Sequence, residues 1–479
     1  MESRNWIGGE WVTPPGETLV VCDPSQVSEQ VGLLHLSEAD QMAQACDAAR
    51  RTAPGWAATP LPVRGEQLRR LADVLEAHQA ELAELGSREV GKPIGEMTGE
   101  VARGVQILRY YAGEGMRAVG SVIPHSQPQV LQYTMRVPLG VVGVITPWNF
   151  PVAIPIWKVA PALICGNTVV WKPAEGASLT AVRLTELLAA GGLPAGVLNL
   201  VIGRGARVGR WLVEEGAVDA MSFTGSAATG MGVASTAARR NIKSQVEMGG
   251  KNAAVVLSDA NLALAVPAIV SGAFRSAGQK CTATSRIIVD DAIFPAFQQA
   301  LAAAMADVRV GAARDPRTYV GPVASLDQFR KVTGYQARAE RARMIAVAPG
   351  DGVDWAAGYY VRPTVVADVA VDDALVQEEI FGPLAVALPA RDFDEAVALC
   401  NQTVYGLSAA VFTANLAQGL AFMEQAAVGM VRVNQETAGV EYAAPFGGMK
   451  QSSTHSREQG SAALDFYSDT KTCAVYYGP

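Results

Sequence analysis

The sequence predicts an α/β fold made of βαβ units around a mostly parallel sheet, and three observations carry that reading. Val141-Val142-Gly143-Val144-Ile145 is a nearly continuous apolar run, as expected for a strand buried on both faces. Thr168 to Glu175, Val197 to Ile202 and Ala220 to Thr224 repeat the arrangement, each a strand candidate that runs into polar residues or glycines at its carboxyl end. Helical stretches such as Ala181 to Ala190 separate these runs, and strands alternating with helices form parallel sheets with crossovers. At 479 residues the chain is about three times a ~150-residue domain, so more than one core is expected.

Taken in order, Trp6-Ile7-Gly8-Gly9-Glu10-Trp11 predicts a short hairpin around a Gly-Gly turn. Leu68, Leu71, Leu75, Leu82 and Leu85 fall at helical spacing, which predicts one helix from Arg64 to Gly86 with Gly86 as its C-cap and His78 as an ordinary packing residue. A second helix is expected over Ile94 to Ala112. Ser121 to Pro138 alternates apolar and polar residues around a proline-rich middle and predicts a long projecting hairpin of the kind that joins subunits. After the strand Ala220 to Thr224 comes Gly225-Ser226-Ala227-Ala228-Thr229-Gly230. This Gly-x-x-x-x-Gly turn could aim backbone amides and a helix N-terminus at a pyrophosphate, or could be a tight packing turn; it is neither a full GxGxxG nor a P-loop. Past Glu247 the pattern restarts with a strand from Ala253 to Leu257 and a helix ending near Arg275, for which Asp259 is the expected N-cap. The βα alternation continues to about Gly448, and Thr472 to Tyr477 is a strand candidate that could join a sheet across subunits.

Composition narrows the function. Hydrophobic residues make up 49% and charged residues 18%, which is globular. A net charge of -7 without long like-charge blocks argues against nucleic-acid or anionic-membrane partners. The six cysteines (Cys22, Cys46, Cys165, Cys281, Cys400, Cys473) have no CxxC spacing, and the four histidines (His35, His78, His125, His455) are far apart, so neither a disulfide framework nor a metal site is expected. Met1 to Trp6 has no apolar signal core, and the apolar region Val141 to Cys165 is broken by Pro147, Pro151, Pro155, Lys158 and Pro161. A cytoplasmic enzyme is the expectation.

The chemistry centres on Gly278-Gln279-Lys280-Cys281-Thr282, with Glu247-Met248-Gly249-Gly250-Lys251-Asn252 and Pro147-Trp148-Asn149-Phe150-Pro151 upstream. A thiol, a carboxylate and a side-chain amide suffice for acyl chemistry at an aldehyde carbon: the thiolate attacks, the amide steadies the oxyanion, and the carboxylate activates the water that releases the acid. The competing reading of Cys281 is a buried apolar cysteine, which is how Cys165 and Cys400 are read.

Together with Lys172-Pro173-Ala174-Glu175, Phe223-Thr224-Gly225-Ser226, Glu379-Ile380-Phe381-Gly382-Pro383 and Pro445-Phe446-Gly447-Gly448, these runs resemble the NAD(P)-dependent aldehyde dehydrogenase superfamily over essentially the whole chain. The resemblance implies an aldehyde dehydrogenase-like α/β fold: a Rossmann-type dinucleotide-binding domain (1–120 and 139–247), an α/β catalytic domain (248–450), and a β-hairpin oligomerisation arm with a C-terminal strand (121–138 and 458–479). Such proteins assemble as homodimers or homotetramers. It implies Cys281 as nucleophile, Glu247 as general base, and the Asn149 amide with the Cys281 N–H as oxyanion hole. Glu458 matches a position given a proton-relay role, with a structural ion pair as the alternative.

For the cofactor, the resemblance implies Lys172 and Glu175 at the adenosine ribose, Gly225, Ser226 and Gly230 at the pyrophosphate, and Glu379 and Phe381 at the nicotinamide ribose. Ile145, Thr146, Pro147, Trp148, Ala174, Gly203 and Phe223 complete the expected contacts. A carboxylate at Glu175 accepts from both ribose hydroxyls and repels a 2′-phosphate, which favours NAD; Arg204 and Arg207 keep NADP as the alternative. For the substrate, Gly278 to Arg286 and Thr437 to Tyr442 look like the 2-oxoglutarate and succinic semialdehyde dehydrogenase branch. Arg275 is the expected carboxylate clamp, against a helix-end arginine bonding local carbonyls. Lys280, Thr282 and Val440 are the further expected substrate contacts. Phe150, Ile154, Trp157 and Phe446 would suit an apolar or aromatic aldehyde instead. A CoA-acylating enzyme and an inactive cofactor-binding protein are the remaining alternatives, the first opposed by Glu247.

Overall fold

The computed structural model describes residues 1–117 and 119–478; Ala118 and Pro479, at the ends of expected spans, lie outside the described residues. A first seven-stranded sheet has the spatial order Lys243–Glu247, Ala220–Thr224, Val141–Thr146, Thr168–Pro173, Leu198–Leu200, Asn5–Ile7 and Glu10–Val12. Its first five strands are parallel, and the Trp6/Trp11 hairpin closes the edge in antiparallel fashion. Every residue of Thr168–Pro173 and Ala220–Thr224 is buried, as the unbroken apolar runs require when helices cover both faces.

The second sheet is ordered Arg343–Val347, Thr364–Ala367, Leu384–Ala390, Thr284–Asp290, Asn252–Val256, Ser408–Phe412 and Met430–Val433, parallel except at its first strand. Each sheet has its own apolar core. The third element is an antiparallel arm: Val130–Pro138 lies between Val122–Ile123 and Ser468–Tyr476. The first sheet's parallel strands end side by side at Thr146, Pro173, Thr224 and Glu247, and the carboxyl end is the one at which open parallel sheets collect ligands.

Three expectations are corrected. The helix expected over Arg64 to Gly86 is two, Leu61–Ala77 and Gln79–Val90, broken at His78 (φ -112°, ψ 19°). Leucine spacing does not register the break because Leu68, Leu75 and Leu82 are buried on both sides of it. Gly86 lies inside the second helix, where a Cβ would sit 2.8 Å from Met97; the left-handed cap is Gly91 (φ 72°). Asp259 caps nothing: it accepts from Thr413 Oγ1 (2.8 Å) and Ala414 N (3.0 Å), and Asn261 caps Leu262–Phe274. The C-terminal strand pairs with Val130–Pro138 of its own chain. Among the described residues, no helix is long and apolar enough to cross a membrane, and no cluster of three or more His, Cys, Asp or Glu could hold a metal.

Candidate active site

Cys281 lies in the loop between the helix Leu262–Phe274 and the strand Thr284–Asp290. The approach to it is strained: Ser276 (φ 55°), Ala277 (φ 53°) and Gly278 (φ 68°) are all left-handed, a conformation that persists in non-glycine residues only when the surroundings enforce it. Gly278 also has no room for a side chain, since a Cβ would lie 2.3 Å from the Gly382 carbonyl oxygen. The enforcing contacts come from the helix Ile94–Glu114, from the first residue of the strand Asn252–Val256 and from the loop at Thr437. The Glu96 carboxylate accepts from Ser276 N (2.8 Å) and Oγ (2.7 Å). Asn252 Nδ2 donates to the Cys281 (2.8 Å) and Ala283 (2.9 Å) carbonyls, and Thr437 Oγ1 donates to that of Thr282 (2.8 Å).

Cys281 borders two cavities. One, of about 180 Å³, is lined by Pro147, Trp148, Asn149, Gly225, Ser226, Gly249, Glu379 and Phe381. The other, of about 250 Å³, has walls of Phe150, Ile154, Trp157, Thr282, Val440 and Phe446, with Glu96, Glu100 and Arg103. Only Cys281 and Ile154 belong to both. Burial, followed by the carboxylates of Glu379 and Glu247, pushes the Cys281 thiol up to about 12, so at neutral pH it rests protonated. Asn149, at the same wall, donates one Nδ2 hydrogen to the Gln279 carbonyl (2.9 Å), which leaves the second for an oxygen in the cavity.

Glu247 ends the strand Lys243–Glu247 but faces neither cavity. Its Oε2 accepts from Ser453 Oγ (2.5 Å), and its buried Oε1 has no partner. Burial, then the nearby Glu458, holds the carboxyl well above the usual range. Glu458 is itself paired with the buried Lys158, which also donates to Ser222 (3.0 Å).

A third cavity, of about 440 Å³, lies farther along the first sheet between Ile145, Phe223, Gly205, Gly209, Val213 and Val233. Glu175 stands at its edge: Oε1 accepts from Gly205 N (2.7 Å), and Oε2 lies 3.4 Å from Lys172 Nζ. Burial raises this carboxyl, but Lys172 and the Gly205 amide outweigh that and hold it below the usual range. Arg204 and Arg207 turn away from it, to Glu17 and Glu38.

Several expected contacts are not on cavity walls. Gly230 donates to the Ser226 carbonyl (2.9 Å), and a Cβ there would be 2.6 Å from Met248 Cγ, so it is a packing glycine of the helix Ala227–Arg239. Gly203 is likewise closed off by Val208 and the Ser37 carbonyl. Thr146 Oγ1 accepts from Trp171 Nε1 (2.8 Å), and Ala174 N donates to the Thr146 carbonyl (2.9 Å). Lys280 reaches back toward the Ser271 carbonyl (3.5 Å). Arg275 also lies off the cavity of about 250 Å³, stacked 5.0 Å from the Tyr319 ring.

The cation lining that cavity is Arg103. Its NH1 donates to the Val440 carbonyl (2.9 Å), and its guanidinium lies 5.5 Å from the Tyr442 ring. The signal for it was in the helix Ile94–Glu114, where Glu96, Glu100 and Arg103 fall at i, i+4 and i+7, one charged stripe on a helix whose other side buries Met97, Val101 and Val105. Glu100 accepts from the Val152 (2.8 Å) and Ala153 (3.0 Å) amides at the start of the helix Ala153–Ile164 and pairs with buried Lys92, which lies 3.7 Å from the Phe150 ring.

Comparison with known proteins gives a consistent result. A profile described as the aldehyde dehydrogenase family matches residues 11–473. The alpha-ketoglutaric semialdehyde dehydrogenase of Bacillus subtilis is 44% identical over 98% of this chain and 97% of its own length. The alpha-ketoglutarate semialdehyde dehydrogenase of Haloferax volcanii is 39% identical over 98% of each. The crystal structure of an NAD-dependent aldehyde dehydrogenase from Sinorhizobium meliloti superposes with a TM-score of 0.96 at 35% identity, covering 100% of this chain and 95% of that one.

Proposed function

The chain belongs to the aldehyde dehydrogenase family, and from that premise we propose that it oxidises a semialdehyde of the 2-oxoglutarate semialdehyde type to the dicarboxylic acid, with NAD as hydride acceptor. The observation that carries this reading is the position of Cys281 between two cavities, one lined by strand ends and glycine turns and the other walled by apolar side chains with Arg103, Glu96 and Glu100 at one side. The named semialdehyde dehydrogenases among its relatives support the same substrate class.

The chain's residues fit a dinucleotide. Val213, Val233 and Phe223 offer apolar faces to a flat base, and Glu175 stands at the edge as a ribose acceptor. Ser226 begins the helix Ala227–Arg239, whose N-terminus favours a pyrophosphate. With Arg204 and Arg207 engaged elsewhere, the carboxylate of Glu175 has no neighbouring free guanidinium to offset its repulsion of a 2′-phosphate, which favours NAD over NADP. Trp148 and Phe381, edge to face at 5.5 Å, together with Glu379 held by Gly250 N (3.0 Å), border the end nearest Cys281.

In this reading Cys281 Sγ loses its proton to water in the cavity and bonds to the aldehyde carbon, the carbonyl π pair moving to the oxygen, and that oxyanion is met by the second Asn149 N–H and the Cys281 N–H. A bound nicotinamide would supply the hydride acceptor, and Cys281 Sγ would then hold the acyl group as a thioester. Glu247 then accepts a proton from water, which cleaves the thioester and frees the acid. Arg103 holds the substrate's distal carboxylate while Phe150, Trp157 and Phe446 exclude water around its carbon chain. The apolar walls support a second reading, oxidation of an aliphatic or aromatic aldehyde. The arm, with Val122, Leu131, Met135 and Val475 exposed, supports assembly as a homodimer or homotetramer.

NADH formation measured across 2-oxoglutarate semialdehyde, succinic semialdehyde, alkanals and benzaldehydes separates the two readings. Semialdehydes should give the highest kcat/KM. Arg103→Ala should raise their KM about 10–100-fold, the worth of a charge-assisted pair, without affecting alkanals, while Arg275→Ala changes neither. A preference for alkanals with Arg103 indifferent would favour the second reading.

A further inference from the structure

The turn before Cys281 is held against its own backbone preference. Ser276 (φ 55°, ψ 30°) and Ala277 (φ 53°, ψ 34°) are consecutive left-handed residues with side chains, and such a pair persists only where outside contacts over-determine it. One side of the turn is backed by the Gly382 carbonyl oxygen, 2.3 Å from where a Cβ on Gly278 would stand. On the other, the Glu96 carboxylate grips Ser276 with both oxygens, Oε1 accepting from N (2.8 Å) and Oε2 from Oγ (2.7 Å). Two bonds to one residue fix its orientation as well as its position. From Ser276 the constraint passes to Asn149. The Ser276 carbonyl accepts from Gln279 N (3.0 Å) and Nε2 (3.1 Å), and the Gln279 carbonyl accepts from Asn149 Nδ2 (2.9 Å). Ser276, Gln279 and Asn149 are each at most 5% exposed, so these bonds are made out of the reach of bulk water. One turn along the same helix, Glu100 accepts from the Val152 (2.8 Å) and Ala153 (3.0 Å) amides just past Asn149. One stripe of the helix Ile94–Glu114 thus braces the thiol's loop and the amide's loop against each other.

We propose that Glu96 is a positioning residue: by clamping the left-handed Ser276 it sets the geometry between Cys281 Sγ and the Asn149 N–H that meets the oxyanion, and it does so by reach rather than by charge. This rests on the roles proposed above for Cys281 and Asn149. An oxyanion donor helps only when it is aimed at the point where the nucleophile places the oxygen, and a misplacement of about 1 Å costs on the order of 10²-fold in rate. Without the clamp, Ser276 returns to the right-handed or extended backbone that a residue with a Cβ prefers, its carbonyl swings away from Gln279, and the Asn149 amide loses its anchor. Charge is the competing explanation, because Glu96 borders the cavity of about 250 Å³ and lies within electrostatic reach of Arg275 and Lys280. No covalent step is added.

Two substitutions separate reach from charge. Glu96→Gln keeps the length: its oxygen still accepts from Ser276 N, and its amide donates to the hydroxyl oxygen. Glu96→Asp keeps the charge but is one methylene short of holding both donors. The measurements are the rate of the first-turnover NADH burst, steady-state kcat and KM, and Tm, with 2-oxoglutarate semialdehyde and with an alkanal. Glu96→Asp should slow the burst about 10–100-fold with both aldehydes at little change in KM, whereas Glu96→Gln should stay within about threefold of wild type. Ser276→Gly adopts positive φ without a clamp, so added to Glu96→Asp it should restore the burst rate about tenfold. A glutamine variant as slow as the aspartate one would overturn the clamp in favour of charge. So would a loss confined to the semialdehyde, which would make Glu96 a substrate contact. A lowered Tm at wild-type burst rate in Glu96→Asp, or no recovery on adding Ser276→Gly, would overturn it as well. Each of these leaves the nucleophile standing; that role fails only if Cys281→Ala keeps turnover.

Discussion

The two cavities that meet at Cys281 are built from different kinds of sequence. The cavity proposed for the cofactor takes its walls from strand ends and the turns that follow them: Pro147 to Asn149 after Val141–Thr146, Gly225 and Ser226 after Ala220–Thr224, and Gly249 after Lys243–Glu247. Each wall is a short contiguous run. The substrate-side cavity is assembled from one face of the helix Ile94–Glu114, one face of Ala153–Ile164, the Cys281 loop, and Val440 and Phe446 more than 300 residues from Arg103. Runs survive as legible motifs, whereas helix faces appear only as every third or fourth residue among others serving the core. The reaction was therefore easier to read than the substrate.

Cys281 borders both cavities and is the proposed nucleophile, so its removal should have the largest effect. Cys281→Ala should abolish NADH formation from every aldehyde while NAD binding, followed by fluorescence titration, stays near wild type. Turnover surviving in the variant would remove Cys281 from the mechanism, and loss of NAD binding would mean that the loop shapes the cofactor cavity rather than only bordering it. Next in size, Glu247→Gln should slow steady-state turnover by about 10²–10⁴-fold, the range of a positioned proton acceptor, and leave the first-turnover burst in place. An unchanged steady-state rate would exclude it as the base.

The same contrast explains what sequence reading captured. The parallel strands were legible because a strand covered on both faces has no polar alternation to confuse it, and Thr168–Pro173 and Ala220–Thr224 have no exposed residue. The break at His78 was not, because both helices bury leucines on one continuous stripe. Cys281, Asn149 and Glu247 stood in runs distinctive enough to single out. Arg275 drew attention through its closeness in sequence to Cys281, but its guanidinium stacks on the Tyr319 ring and is not on the wall of either cavity that Cys281 borders. Arg103, 178 residues before the cysteine, is brought to the pocket instead by a helix packed against Ala153–Ile164.

The smallest predicted effect sharpens the cofactor side, where two readings of one glycine make opposite demands. Were Gly230 a pyrophosphate contact, Gly230→Ala would weaken NAD binding and leave the apoprotein's stability alone. The geometry favours packing: an added Cβ meets Met248 Cγ at 2.6 Å, Met248 Sδ at 2.7 Å and Val246 Cγ1 at 2.8 Å. Alanine gains about 1 kcal/mol of helix propensity over glycine, and the methionine can shift, but Val246 is fixed in a buried strand and overpacking costs about 1–3 kcal/mol. The net expectation is a modest loss of stability, about 1 kcal/mol in chemical denaturation of the apoprotein, with NAD affinity changed less than about twofold, well under the 1.4 kcal/mol of a tenfold change. A large rise in the Kd for NAD with unchanged stability would return Gly230 to the cofactor and favour the pyrophosphate reading of the turn over the packing one.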